Sequence, residues 1–356
     1  MRRRTFIALS AGSLGTLLAA GCSEVSPNQP GSSKETKKGP FTIGVSNAFV
    51  GSEYRTQMID DIKAAFEEYQ KEGIVGSLVL ENADADVNGQ IQQVRNLINK
   101  GVHAIIINPN SATALDAVFK EAEGQGISVY AIDQAVETKS VLNVGIDQGA
   151  WAAESAKWLA GKVGKGGKIV AVNGISGHPA NEARWSAAKK VFDEAGVEVL
   201  TVADGGWDQA KGQQAMTNLI ATYPDIQGVW TQDGMAQGCL KAVEAAGKTD
   251  SIVVTGEARN GFMRMWNDLK AKGFESVGVV NPPGTGATAL HFAVAQLQGK
   301  KLDPSKITGE HNIVLPLEPA ITNAIFDDAW KKVSDKPDSF VMDSVLSRSD
   351  VAKYFV

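Results

Sequence analysis

Cysteine is scarce in this chain of 356 residues: Cys22 and Cys239 are the only two, so a disulfide framework is excluded. The four histidines, His103, His178, His291 and His311, are dispersed and show no metal-ligand spacing. No serine stands in a Gly-x-Ser-x-Gly nucleophile elbow, and Gly164 to Lys168 lacks the spacing of a phosphate loop. Gly284-Thr285-Gly286 with Ala289 imitates a dinucleotide fingerprint, but Pro282-Pro283 before it and its late position read as a domain crossover. A cationic cluster is missing too. Lys and Arg number 35 against 40 Asp and Glu, the signs are interleaved, and no nucleic-acid partner is expected. No catalytic residue, cofactor or metal is therefore assigned.

The most specific signal that is present lies at the N-terminus. Met1-Arg2-Arg3-Arg4 is a cationic start, and Phe6 to Ala20 is an apolar stretch interrupted by Ser10, Gly12, Ser13 and Gly15. That stretch is too short and too rich in Gly and Ser for a stable membrane-spanning helix, and it reads as a signal peptide. It ends in Leu18-Ala19-Ala20-Gly21-Cys22, which resembles a lipobox, with Ala19 where an aliphatic residue is usual. The likeness implies a lipoprotein signal peptide over residues 1–22 and diacylation of Cys22, which would anchor the chain to the cell membrane from outside. An ordinary signal peptide cut nearby is the alternative. Arg3-Arg4-Thr5-Phe6-Ile7 also looks like a twin-arginine signal, with Ala8 in place of the usual Lys, so both export routes stay open. Residues 23–40 are polar and read as a flexible tether. With Cys22 lipidated, Cys239 has no disulfide partner and reads as a small apolar helix residue.

From Phe41 onward, short apolar runs alternate with amphipathic segments. The runs are 41–46, 77–80, 104–108, 128–133, 141–146, 168–173, 197–202, 228–232, 251–256 and 276–281. Between them come helical patterns such as Met58, Ile62, Ala65, Phe66 and Tyr69, with apolar residues three or four apart. Continuous apolar strands alternating with helices predict an α/β fold with parallel sheets covered on both faces. About ten strands are too many for one comfortable sheet, so two doubly wound sheets are expected. Polar residues wait where the strands end: Ser46, Asn47, Asn108, Asp133, Asn173, Asp233, Glu257 and Asn281. Ligands of open α/β sheets sit at those ends, and two such edges facing each other would make a cleft.

At this point the sequence resembles the type I periplasmic binding proteins, the ribose/galactose-binding group. The passages that carry the likeness include Ala104-Ile105-Ile106-Ile107-Asn108-Pro109, Val129-Tyr130-Ala131-Ile132-Asp133, and Asn173-Gly174-Ile175-Ser176-Gly177 followed by Arg184. Gly206-Trp207-Asp208 and Tyr223-Pro224-Asp225-Ile226-Gln227-Gly228-Val229-Trp230 follow in order. The resemblance implies an N-terminal lobe of 41–146 plus 282–313 and a C-terminal lobe of 147–281 plus 314–356, joined by a three-crossover hinge. It also implies a monomer that delivers its ligand to an ABC transporter permease.

The family places ligand contacts at positions held here by Asn47, Tyr54, Arg55, Asn108, Asp133, Arg184, Trp207 and Asn281. Three positions depart from its usual pattern: Gln134 where an Arg is common, Asp233-Gly234 where Asn-Asp is common, and Glu257 where Asp is common. Trp185, beside Arg184, is a further candidate. Carboxylates, amides and guanidinium groups suit the hydroxyl rim of a sugar, and flat aromatics suit its faces. A monosaccharide or sugar alcohol is the expected ligand. The competing readings are a sensor presenting its ligand to a membrane kinase or chemoreceptor, and a binder of a nucleoside or other small polar signal.

Overall fold

The computed structural model describes residues 39–356. The signal-peptide and Cys22 expectations fall outside the described residues, as does all but the end of the tether. From Phe41 the chain alternates strand and helix: β1 (Phe41–Asn47), α1 (Glu53–Lys71), β2 (Val75–Asn82), α2 (Val87–Asn99), β3 (Ala104–Asn108), α3 (Asp116–Gly124), β4 (Ser128–Ile132) and β5 (Val141–Gly145). A second series follows: α4 (Gln148–Val163), β6 (Lys168–Asn173), α5 (Pro179–Ala195), β7 (Glu198–Asp204), α6 (Gln209–Thr222), β8 (Gly228–Thr231) and α7 (Ala236–Ala245). It continues with β9 (Val253–Glu257), α8 (Asn260–Lys270) and β10 (Val277–Val279). Then come α9 (Thr285–Leu297), β11 (Asn312–Val314), β12 (Ile321–Thr322), α10 (Phe326–Val333) and α11 (Arg348–Ala352).

Two sheets of six strands result, in the orders β11-β5-β4-β3-β1-β2 and β12-β10-β9-β8-β6-β7. All strand pairs are parallel except β10 with β12. Every residue of β3 is buried, as continuous apolar strands between two helix layers require. Helix α1 shows the complementary pattern, burying Met58, Ile62, Ala65, Phe66 and Tyr69 along one stripe. Side-chain caps fix four helix starts: Asp86 accepts from Gly89 N, Asp147 from Ala150 N, Asp208 from Lys211 N and Ser347 from Asp350 N.

Each predicted run overlaps one of β1 to β10. The edge strands β11 and β12 were not anticipated, because three and two residues are too few to carry a period. Four segments pass between the sheets: β5 to α4, β10 to α9, β11 to β12, and the stretch after α10. After α10 the chain turns back to helices α1 and α9 of the first sheet. Asp343 Oδ1 accepts from Gly284 N at 2.7 Å, Thr288 Oγ1 accepts from Leu346 N at 3.1 Å, and Arg348 stacks 3.7 Å over the Tyr69 ring. Residues 343–356 therefore strap the first sheet's helices, whereas the lobe division expected from sequence gives 314–356 to the second lobe.

Candidate ligand-binding site

The carboxyl ends of β1, β3 and β4 deliver Asn47, Asn108 and Asp133, and those of β6, β8, β9 and β10 deliver Asn173, Asp233, Glu257 and Asn281. Parallel strands that share a direction bring their last residues to one edge, which places these groups together without any sequence proximity. On the first wall Arg55 is buried in the first turn of α1, where the helix macrodipole opposes a cation. It is held by Asn47, whose Oδ1 accepts from Nη1 at 2.7 Å. Burial lowers the Arg55 pKa, with Asp133 opposing that shift. Tyr54 donates to Pro282 O at 3.3 Å, and burial, then the Asp133 charge, raises its pKa well above the ordinary value.

Asp133 is the meeting point. Asn108 Nδ2 donates to its Oδ2 at 3.2 Å, while Asn281 Nδ2 and Gln148 Nε2 donate to its Oδ1 at 3.2 and 3.3 Å. Gln134 donates to Asn108 Oδ1 at 3.2 Å, and its own Oε1 lies 3.3 Å from His178 Nδ1 and 3.4 Å from Ala180 N. Those last two contacts reach from the first sheet's edge to the start of α5. Arg184 reaches the other way. It is fully buried, donates to Asp233 Oδ2 at 2.6 Å and to Gln148 Oε1 at 2.7 Å, and sets Nη2 3.8 Å from Asp133 Oδ1. Burial pulls the Arg184 pKa down, but Asp233 and Asp133 outweigh it and hold it above the ordinary value. Its guanidinium also stacks 4.3 Å over Trp151.

On the second wall Trp207 donates to Gln232 Oε1 at 3.3 Å and meets His178 edge to face at 5.5 Å. Glu257 is fully buried; burial foremost, and then Asp233, push its carboxyl up to about 8 against the pull of Arg259. Asp133, Trp207 and Asp233 are the non-glycine residues with positive φ among the described residues, at 62°, 57° and 37°. Such backbone is held only where its surroundings fix it, at about 1–3 kcal/mol each, and it gathers at functional sites. Three buried polar atoms on this wall have no hydrogen-bond partner: Arg184 Nη2, Asp233 Oδ1 and Glu257 Oε1.

One predicted contact is not brought here. Trp185 packs against Trp230, ring centroids 5.9 Å apart, as part of the apolar core. Helix geometry explains this, because neighbouring positions point about 100° apart and Arg184 takes the cleft-facing one. Sequence reasoning missed Gln148, Gln232 and Arg259. Gln232 follows β8 directly and Arg259 stands two residues past β9, so both share the signal that singled out Asp133, whereas Gln148 opens α4 and carried no such signal. A cavity of about 420 Å³ adjoins Asp133 and Gln134, the two predicted residues that line it, and runs past Pro179 and Ala180 to the crossovers at Gly145–Gly149 and Asn312–Val314.

The sequence profile of the periplasmic binding protein domain matches residues 43–301. The ribose import binding protein of Bacillus subtilis (strain 168) is 28% identical over 291 residues, which cover 81% of this chain and 92% of that protein. The xylitol-binding protein of Mycolicibacterium smegmatis is 28% identical over 339 residues, covering 93% of this chain and 89% of that one. An ABC transporter solute binding protein from Thermobispora bispora superposes with a TM-score of 0.77 at 24% identity, covering 88% of this chain and 94% of its own, a likeness of fold. With two parallel sheets, polar strand ends converging on one cleft, and a profile match over most of its length, the chain belongs to the periplasmic binding protein family.

Proposed function

We propose that this protein is an extracytoplasmic solute-binding protein that captures a monosaccharide or sugar alcohol between its two lobes and delivers it to an ABC transporter permease. The observation that carries the ligand class is the charge balance of the cleft. Arg184 is paired with Asp233, Arg259 is shared between Glu257 and Glu53, and the Arg55 charge is opposed by Asp133, so the cleft carries no excess of positive charge for a phosphate or a carboxylate. The unpartnered Arg184 Nη2, Asp233 Oδ1 and Glu257 Oε1 offer both donor and acceptor positions. Sugar hydroxyls, which donate and accept alike, satisfy such a set. The ribose and xylitol named for the two relatives belong to the same neutral, polyhydroxylated class.

In this reading the connections β5 to α4, β10 to α9 and β11 to β12 act as the hinge. The ligand favours the closed form because it gains contacts there that the open form lacks. Cys22 carries the lipid anchor, the protein works as a monomer, and it is a binder rather than an enzyme. The test is thermal unfolding of the tag-free domain, refolded to strip carried-over ligand, against pentoses, hexoses and polyols. A ligand at ~1,000 times its dissociation constant stabilises the native state by roughly 4 kcal/mol. A strong response to one compound supports the reading and names the ligand; a flat panel overturns the sugar assignment.

A further inference from the structure

Arg259 is a buried cation that the ligand reading uses only to balance charge. It stands between β9 and α8 of the second sheet, is 3% exposed, and divides its fork between two acids. Nη2 and Nε donate to Glu257 Oε2 at 2.9 and 3.2 Å, while Nη1 donates to Glu53 Oε2 at 2.5 Å. Glu257 belongs to the same sheet and moves with Arg259. Glu53 does not: it opens α1, which packs on β2 and α9 of the first sheet. The Arg259–Glu53 contact thus spans the cleft, and any hinge motion that separates the sheets breaks it while leaving the Arg259–Glu257 pair intact.

The local sequence makes room for this reach. A Cβ at residue 234 would lie 2.1 Å from Arg259 Nη1 and 2.5 Å from Cζ, so the guanidinium crosses over Gly234 through space a side chain would occupy. Gly234 has no positive φ, so the glycine serves the passage of Arg259 rather than a backbone turn. Its neighbour Asp233 is the partner of Arg184. The segment that carries a proposed ligand group therefore also clears the path of the cross-cleft arginine.

We propose that Arg259 and Glu53 form an interlobe latch, made on closure, that sets the affinity for every ligand without touching any of them. The inference rests on the binding reading above. With Arg259 donors committed to Glu53 and Glu257, the latch acts on the open–closed equilibrium, and a ligand's apparent affinity scales with the closed population it needs. Glu53 is 42% exposed, which moderates the effect, so its loss is expected to weaken binding by about 3–10-fold.

Two variants test it. Glu53→Gln removes the charge at a half-exposed position that tolerates substitution, and Gly234→Ala drives the guanidinium off its path with no change of charge. Small-angle scattering of the ligand-free proteins, and affinities for each compound that stabilises the wild type, are then compared. The expected result is a larger radius of gyration for both variants and an affinity loss of the same factor for all ligands, with their rank order kept. A loss confined to some ligands overturns the latch in favour of direct contact, and unchanged scattering together with affinities within twofold overturns it outright. Should no sugar bind, scattering alone decides: a change upholds the latch while the sugar assignment fails, and no change defeats both.

Discussion

Replacing Arg184 by Met keeps an unbranched side chain over Trp151 but removes the charge that holds the cleft together. In the wild type the guanidinium is fully buried against Asp233 at 2.6 Å and Gln148 at 2.7 Å, with Asp133 3.8 Å away. Without it, two carboxylates face each other at a buried edge with no cation between them. Breaking a buried ion pair from one side costs about 3–5 kcal/mol. For a unit of this size the unfolding entropy is near 0.7 kcal/mol per kelvin, so Tm should fall by roughly 4–8 °C if the lobes unfold together.

Calorimetry of the ligand-free protein at neutral pH measures this, and titration with the ligand found in the panel should show binding lost. The double variant Arg184→Met, Asp233→Asn removes both charges and should recover about half of the stability, since the penalty comes from the stranded carboxylate. Recovery of stability without recovery of binding is the expected signature. A Tm within 1 °C of wild type for the single variant, with binding retained, would refute the assignment of Arg184 as the charge that joins the two edges.

Two further outcomes follow from the same structure. Burial, then the neighbouring Asp343, pushes the Asp61 carboxyl from 3.8 up to about 8. A raised folded-state pKa makes this group's contribution complete below 3.8 and lost as pH rises to about 8, so Asp61→Asn should flatten the fall of Tm over that window. Parallel pH profiles in differential scanning fluorimetry would count against it. A Cβ at Gly174 would lie 2.0 Å from Trp207 Nε1, so Gly174→Ala should displace the indole and weaken ligand binding by about tenfold, read by calorimetric titration. Unchanged affinity would remove Trp207 from the set of ligand contacts.

Sequence alone determined the strand–helix alternation. Fully apolar runs such as Ala104–Ile107 and the α1 stripe of Met58, Ile62 and Tyr69 are set by local burial demand, which neighbouring residues encode. It also pointed to Asn108, Asp133, Asp233 and Glu257, because a polar residue at the end of a buried parallel strand has few structural reasons to be there. Tertiary structure decided the rest. Trp185 and Arg184 are adjacent in the chain, yet one packs on Trp230 and the other pairs across the cleft, since the helix's rotation about its axis is fixed by packing on the sheet. Gln148 gains its role by lying between Asp133 and Arg184, a neighbourhood made by three separate elements. The return of residues 343–356 to α1 and α9, and the crossing of Arg259 over Gly234 to Glu53, likewise depend on which surfaces the two sheets present to each other. Periodicity records which face of an element is buried; which partner buries it, and what meets across the gap, is settled only when the sheets pack.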